Sequence, residues 1–363
     1  MHCSIEIELL QIALGTRDVL SHIPTQKEWE RIHDFAEKQS IIGLMLCGIE
    51  RLVAADVAVK ESMPSGFLLQ WIGEREYLKS LQEETAKKAR LLSEEFNKAG
   101  FRTCLLKGVG NSLFYGNLVR TPGDIDLWVM PNNEVRIDKA RRMTQDYVHS
   151  LYPEAKGEFV HMDWPWEDET PVEIHFTPSM DANPWADRRL QRFFEEQADF
   201  CFENMSSLGF AVPTGVVNGV FLLHHMKRHF INEGIGIRHV VDYELFLRSL
   251  TESELKKVRL LLERFNLRQF AMGVMYVIKE ILGDRDVANW PCDRKRGELL
   301  FSEMMRGGNF GQYDSRKGED MNFTQRWKWF VRISINRMRL FPADAFWSFI
   351  MRLRIGVSNQ INK

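Results

Sequence analysis

The sequence predicts an α+β fold for this chain of 363 residues: a small sheet flanked by helices, with helical regions before and after it. Three observations predict it. Apolar residues recur at helical spacing up to about residue 99; the texture then switches to short β-compatible runs broken by turns; and helical periodicity returns after Pro184. The length suits about two domains, and 44% hydrophobic residues suffice for a sizeable buried core.

LLQIALG, IHDFAEK and IIGLMLCGIERL read as short helices, with Pro24 and Thr25 marking a turn before Trp29. EREYLKSLQEETAKKARLLSEEFNKAG reads as one long amphipathic helix, stopped at Gly100 as by a left-handed C-terminal cap. FRTCLLKG suits a strand, GNSLFYGNLV a helix starting near the Lys107–Gly108 turn, and DIDLWVM a second strand. Asn132 or Asn133 can cap a helix running to about Ser150, and GEFVHMDW and TPVEIHF then alternate like strands of one sheet. Four more helices are expected in WADRRLQRFFEEQADFCF, VNGVFLLHHMKRHFINEG, RHVVDYELFLRSL and SELKKVRLLLERF. GGNFGQYDSRKGED is a loop or linker before the closing helices of RWKWFVRISINRMRLF and AFWSFIMRLRIG. The expected organisation is a helical region over 1–99, a catalytic core over 100–183, a helical covering domain over 184–310, and a linker with basic aromatic helices over 311–363.

A formal net charge of −2 provides no strong overall basic field for nucleic acid. The five cysteines are dispersed, odd in number and free of CxxC pairs, which suits a reducing cytoplasm. The N-terminal stretch MHCSIEIELLQIALG carries Glu6 and Glu8 and does not resemble a secretory signal. No run reaches the ~18 apolar residues of a transmembrane helix, so a cytoplasmic location is expected.

The chemistry centres on GDIDLWV. Alternate strand positions face the same way, so Asp124 and Asp126 stand side by side. Two carboxylates this close repel unless a cation lies between them, and Mg²⁺ is the common remedy in a phosphate-handling site. Glu173, in the short apolar strand pattern PVEIHF, suits a third ligand, since a buried acid needs a partner. Such a site clamps the attacking and leaving oxygens of a displacement at phosphorus. Gly108 allows close backbone approach to phosphate at the strand-to-helix turn, Lys107 adds a point charge there, and Arg120 offers a guanidinium fork to the same phosphates or else pairs with Asp124 or Asp126.

On these residues, LLKGVGNSLFYGNLVRTPGDIDLWV resembles the signature of the uncharacterised bacterial nucleotidyltransferase family within the DNA polymerase β-like superfamily. PTGVVNGVFLLHHMKRHFINEGIGIRHVVDYELF resembles the helical region that follows the sheet in that family. The resemblance implies a nucleotidyltransferase-like small mixed sheet flanked by helices, and transfer of a nucleoside monophosphate from a nucleoside triphosphate, ATP or another, to an acceptor, with release of pyrophosphate. It implies Mg²⁺ or Mn²⁺ held by Asp124, Asp126 and Glu173, with the triphosphate on Lys107, Gly108 and Arg120. Val109 stands where the superfamily commonly has Ser or Gly, and Ser112 is the substitute phosphate contact. The expected acceptor lies between the sheet and the helices after Pro184: a small molecule or sugar is favoured, a protein side chain or nucleic-acid end being the alternatives.

Four residues are secondary candidates. His175 shares a strand face with Glu173, as a group behind the ligands, an acceptor-site group or a structural histidine. His229, spaced i, i+4 from His225, lacks the third ligand of a zinc signature, leaving packing or substrate contact. Arg238 and Asp242, also i, i+4, form either a surface ion pair worth ~0.3–0.5 kcal/mol or a site-facing pair. Lys227 and Arg228 offer charge to phosphates or are merely solvated, and the basic aromatic stretch from Arg326 to Arg354 is either a nucleic-acid or membrane-surface element or helix packing with snorkelling arginines. Two competing readings of function remain: a nucleotide-binding or protein-interaction module without turnover, and an enzyme modifying nucleic-acid ends.

Overall fold

A computed structural model gives the fold for residues 4–133, 136–157, 159–166, 170–317 and 323–361. The last residues of the Gly-rich linker and the side chains of Arg326 and Arg354 lie outside the described residues. Four helices, α1 (Ile5–Leu14), α2 (Gln26–Lys38), α3 (Ile42–Ala55) and the short α4 (Val57–Glu61), precede the long α5 (Phe67–Lys98). Thr25 opens α2 through a reciprocal cap with Glu28, which explains the turn before Trp29. Helix α5 begins earlier than its charged repeat suggests because Phe67 and Trp71 are buried in its first turns, and it is followed by Gly100 at φ 87°.

The sheet is mixed, as predicted. Its strands β1 (Phe101–Leu105), β2 (Ile125–Pro131), β3 (His161–Asp163) and β4 (Val172–His175) lie in the order β1-β2-β4-β3. β1 is antiparallel to β2, β2 parallel to β4, and β3 antiparallel to β4. Every residue of β2 is buried, so both faces of this central strand are covered. Ile125, Leu127 and Val129 enter one core with Phe96 of α5 and Val148 of α6 (Ile137–Leu151). Trp128 and Met130 enter the other core, formed with the helices of both ends of the chain. The two-residue period puts Asp126 on this second face, towards the helices.

Three local expectations are corrected. The helix after Lys107 is a 3₁₀ segment, Gly108–Phe114, because Gly108, Gly110, Asn111 and Ser112 are poor α-formers and the Ser112 hydroxyl bonds the Val109 carbonyl. Neither Asn132 nor Asn133 caps α6. Asn132 donates its backbone N–H to Gly100, Arg136 occupies the cap position, and the Ile137 N–H is satisfied by the Glu195 carboxylate at 3.0 Å. β3 spans three residues of the eight in GEFVHMDW.

Beyond the sheet come α7 (Pro184–Glu203), α8 (Gly215–Asn232), α9 (Ile237–Arg248), α10 (Glu252–Arg264), α11 (Arg268–Tyr276), α12 (Arg294–Gly307), α13 (Phe323–Met338) and α14 (Pro342–Ile361). The last two are fastened to α8 by their cations. Arg337 lies over the Phe230 ring and donates to the Ile231 carbonyl; Arg352 lies over Phe330 and donates to the Asn232 carbonyl; Lys227 of α8 binds Asp344 at 2.8 Å. Among the described residues these basic aromatic helices therefore pack through their arginines. No helix of the described residues is long and apolar enough to cross a membrane.

One buried carboxylate joins this helical body to the sheet. Asp242 of α9 accepts both prongs of Arg120, Nε at 2.9 Å and Nη2 at 2.8 Å, together with the Tyr115 hydroxyl at 2.6 Å and the Asn111 amide at 3.4 Å. Both Arg120 and Asp242 are 6% exposed, so the pair is not the surface i, i+4 contact expected of Arg238 and Asp242. Arg238 instead donates to the Thr121 carbonyl at 3.3 Å. Burial alone would raise the Asp242 carboxyl, but Arg120 overrides it and holds it at about 2. Asp242→Ala, which strands the Arg120 charge, is expected to cost about 3–5 kcal/mol of stability in chemical denaturation.

Two residues further along α9, burial pushes Glu244 up to about 8, against the pull of Arg248 and with Asp284 adding to the rise. A carboxyl whose folded value exceeds its ordinary 4.5 takes up a proton on folding, so its contribution is fully present below pH 4.5 and erodes until the pH passes about 8. Melting curves across that window should show wild-type stability falling relative to Glu244→Gln. Parallel curves would refute this.

Candidate active site

The parallel register of β2 and β4 sets Asp126 directly opposite Glu173, and Asp124 stands immediately before β2. A carboxylate oxygen from each of the three lies within 4.8 Å of the others. Asp126 is fully buried; its Oδ1 meets Lys107 Nζ at 2.9 Å and His175 Nε2 at 3.0 Å, while its Oδ2 is buried with no hydrogen-bond partner among the described residues. Burial would raise this carboxyl, but Lys107 and His175 together lower it. Glu173 follows the same pattern: burial opposes ionisation, and hydrogen bonding from His175 at 3.1 Å with the charge of Lys107 holds it at about 2. Three converging carboxyl groups, one carrying an unsatisfied buried oxygen, fit an oxygen-seeking divalent cation.

The turn above the acids is set by backbone geometry. Gly108 has φ 63°, and a Cβ there would lie 2.5 Å from the Asp124 carbonyl oxygen, so conformation and space both demand glycine. The Leu106 N–H donates to the Asp126 carbonyl at 2.9 Å, tying the turn to β2. Lys107 reaches inward and binds Asp124 at 3.1 Å as well as Asp126, so its charge balances the acids at the entrance to the phosphate turn. The Arg120 fork is taken by Asp242, and Ser112 donates its hydroxyl to Val109 at 2.6 Å and lines neither cavity below.

Two adjoining cavities open from this point. The larger, about 650 Å³, has Lys107, Asp124, His161 and Glu173 on its floor and His225, Arg228, His229 and Phe310 among its walls. The smaller, deeper one, about 40 Å³, is bounded by Gly108, Arg120, Asp124, Arg238, His239 and Asp242. Its lining sets Lys107, Arg120 and Arg238 beside the carboxylates of Asp124 and Asp242. Arg238 is 8% exposed, and its Nε finds no acceptor among the described residues. Burial pushes His225, His229 and His239 below their ordinary value, His239 to about 3, so these walls carry neutral imidazoles. His225 and His229 meet ring to ring at 4.3 Å, and Phe310 sits against His229 at 5.0 Å and His239 at 4.8 Å. Phe310 holds this place at φ 51°, a left-handed conformation rare for an aromatic residue.

His175, buried behind the acids, hydrogen-bonds Asp126 and Glu173 and does not line the cleft. Lys227 turns away from the cleft to Asp344 and to Asp181 at 3.7 Å. The sequence reading missed His161, Asn111, Tyr115 and Phe310. His161 had a usable signal, a histidine on the strand preceding the third acid. Phe310 had none, since it lies in a Gly-rich loop far along the chain, docked where Gly311 meets Gly234.

The model of a family described as "Uncharacterised nucleotidyltransferase" matches residues 25–283, well over half of the chain and a span that contains the acid trio, the Gly108 turn and Asp242. No curated protein and no solved structure matches the chain. The acid trio beside the Gly108 turn and this match over residues 25–283 agree: the protein belongs to the uncharacterised nucleotidyltransferase family.

Proposed function

We propose that the protein is a metal-dependent nucleotidyltransferase of the DNA polymerase β-like type, which moves a nucleoside monophosphate from a nucleoside triphosphate to an acceptor and releases pyrophosphate. The observation that carries this reading is the convergence of Asp124, Asp126 and Glu173 within 4.8 Å, with Asp124 and Glu173 on the floor of a cleft of nucleotide size. Mg²⁺ or Mn²⁺ held there would supply charge neutralisation at the phosphate undergoing substitution. Asp124, just before β2, and Asp126 on it would hold the ions, and Glu173 on β4 would hold the catalytic one. Lys107, Gly108 and Arg120 bound the end of the cleft where the triphosphate enters, and Arg238 adds a second guanidinium to that pocket. Arg120 acts there through its fixed position against Asp242. Glu173, 29% exposed in its side chain, lines the open cleft with Asp124 and takes the acceptor's proton.

The helices over 184–310 then cover the nucleotide, residues 100–183 form the catalytic core, and residues 1–99 support it. The cleft's mixture of aromatic, imidazole and arginine walls favours a small molecule or sugar as acceptor. The packing role of Arg337 weighs against a nucleic-acid end, because this buried cation is spent inside the protein.

Mass spectrometry of products formed from labelled triphosphates, Mg²⁺ or Mn²⁺ and a cell extract tests the reading directly and reports acceptor and base together. Asp126→Asn should lower turnover on the order of 10³-fold with an unchanged fold by circular dichroism, since an anionic ligand becomes a neutral amide. Equal turnover would remove Asp126 from the mechanism. Gly108→Ala must displace the Asp124 carbonyl and should raise the KM for triphosphate about tenfold, consistent with a strain of about 1–3 kcal/mol. An unchanged KM would separate the turn from phosphate binding.

A further inference from the structure

We infer that the metal centre is not an all-oxygen site: His161 and His175 join Glu173 as a nitrogen-bearing half that selects a borderline divalent ion such as Mn²⁺ or Co²⁺ over Mg²⁺. The inference rests on the metal-dependent reading above and specifies which ion that centre takes. In the antiparallel pairing of β3 with β4, His161 lies directly opposite His175, and Glu173 follows two residues before His175 on the same face. His161 Nδ1 approaches Glu173 Oε2 at 3.4 Å, and His175 Nε2 approaches the same oxygen at 3.1 Å. One ligand atom from each of the three lies within 4.8 Å of the others, and the two imidazoles are 5.2 Å apart between centroids.

This set differs in chemistry from the acid trio and shares Glu173 with it. Imidazole is a poor ligand for Mg²⁺, which prefers oxygen and retains its waters, but a good one for later divalent ions. The two groups together span three adjacent strands, so ions in the two halves would be bridged by Glu173. His161 and Glu173 line the large cleft while His175 is buried, which leaves open positions on the cleft side for substrate oxygens. Two histidines serving only to orient a carboxylate would bind no metal through nitrogen, and that difference is measurable without turnover.

The experiment is pulsed electron paramagnetic resonance of Mn²⁺ added to the metal-free full chain with inorganic tripolyphosphate, which supplies phosphate oxygens and no nitrogen. The expected result is a ¹⁴N modulation from bound imidazole, converted to the ¹⁵N pattern when the protein carries ¹⁵N-histidine. His161→Ala, whose melting without metal serves as the folding control, should weaken that modulation and lower Mn²⁺ affinity by about 10–100-fold, with a smaller effect on Mg²⁺. The labelled wild-type chain decides the matter even where the variant does not fold. Bound Mn²⁺ without nitrogen modulation overturns the mixed site and leaves the transferase reading standing. Absence of any Mn²⁺ binding at millimolar ion overturns both.

Discussion

The buried contact between Arg120 and Asp242 is the constraint from which the site's geometry follows. Arg120 precedes the first metal-facing acid by four residues, and Asp242 sits in the middle of α9, so the pair fixes where the approach to β2 crosses the helical body. Asn111 and Tyr115 bind the same carboxylate from the 3₁₀ turn. A single anion thus positions both sides of the phosphate entrance. The arrangement is tolerable in a water-poor interior because four donors divide the charge of one carboxylate and Arg120 neutralises it.

Lys107 is the corresponding element on the sheet side. The acids crowd three negative charges onto neighbouring strands, and the ammonium between Asp124 and Asp126 offsets part of their repulsion. Its position explains how a fully buried carboxylate such as Asp126 stays ionised. The same ammonium is thus in contact with two of the three acids at once.

Much of this was legible in the sequence. The period-two spacing of Asp124 and Asp126, their strand, and the pairing with Glu173 followed from side-chain alternation and charge, both local properties. A sheet between helical regions followed from changes in hydrophobic period, and its mixed pairing from the family resemblance. What was not legible depends on contacts across long separations: Asp242 reads as one half of a helix-surface pair with Arg238 until α9 is packed against residue 120, and Lys227 reads as a solvated cation until α14 brings Asp344 to it. The Gly108 turn read as the start of an α-helix because the apolar residues after it keep helical spacing, yet its glycines and the Ser112 hydroxyl favour the tighter 3₁₀ form.

The parallel pairing of β2 with β4 carries a kinetic implication. Antiparallel neighbours can zip from a tight turn, but these two strands are separated by α6 and β3, so the chain must close a loop of some forty residues before Asp126 meets Glu173. β4 is only four residues long and offers few ladder bonds to hold that closure alone. The reactive centre is therefore a late product of folding, assembled after α5 and α6 have given the sheet its backing, and a nascent chain that has not yet emerged past residue 175 has no means of handling a nucleotide through it.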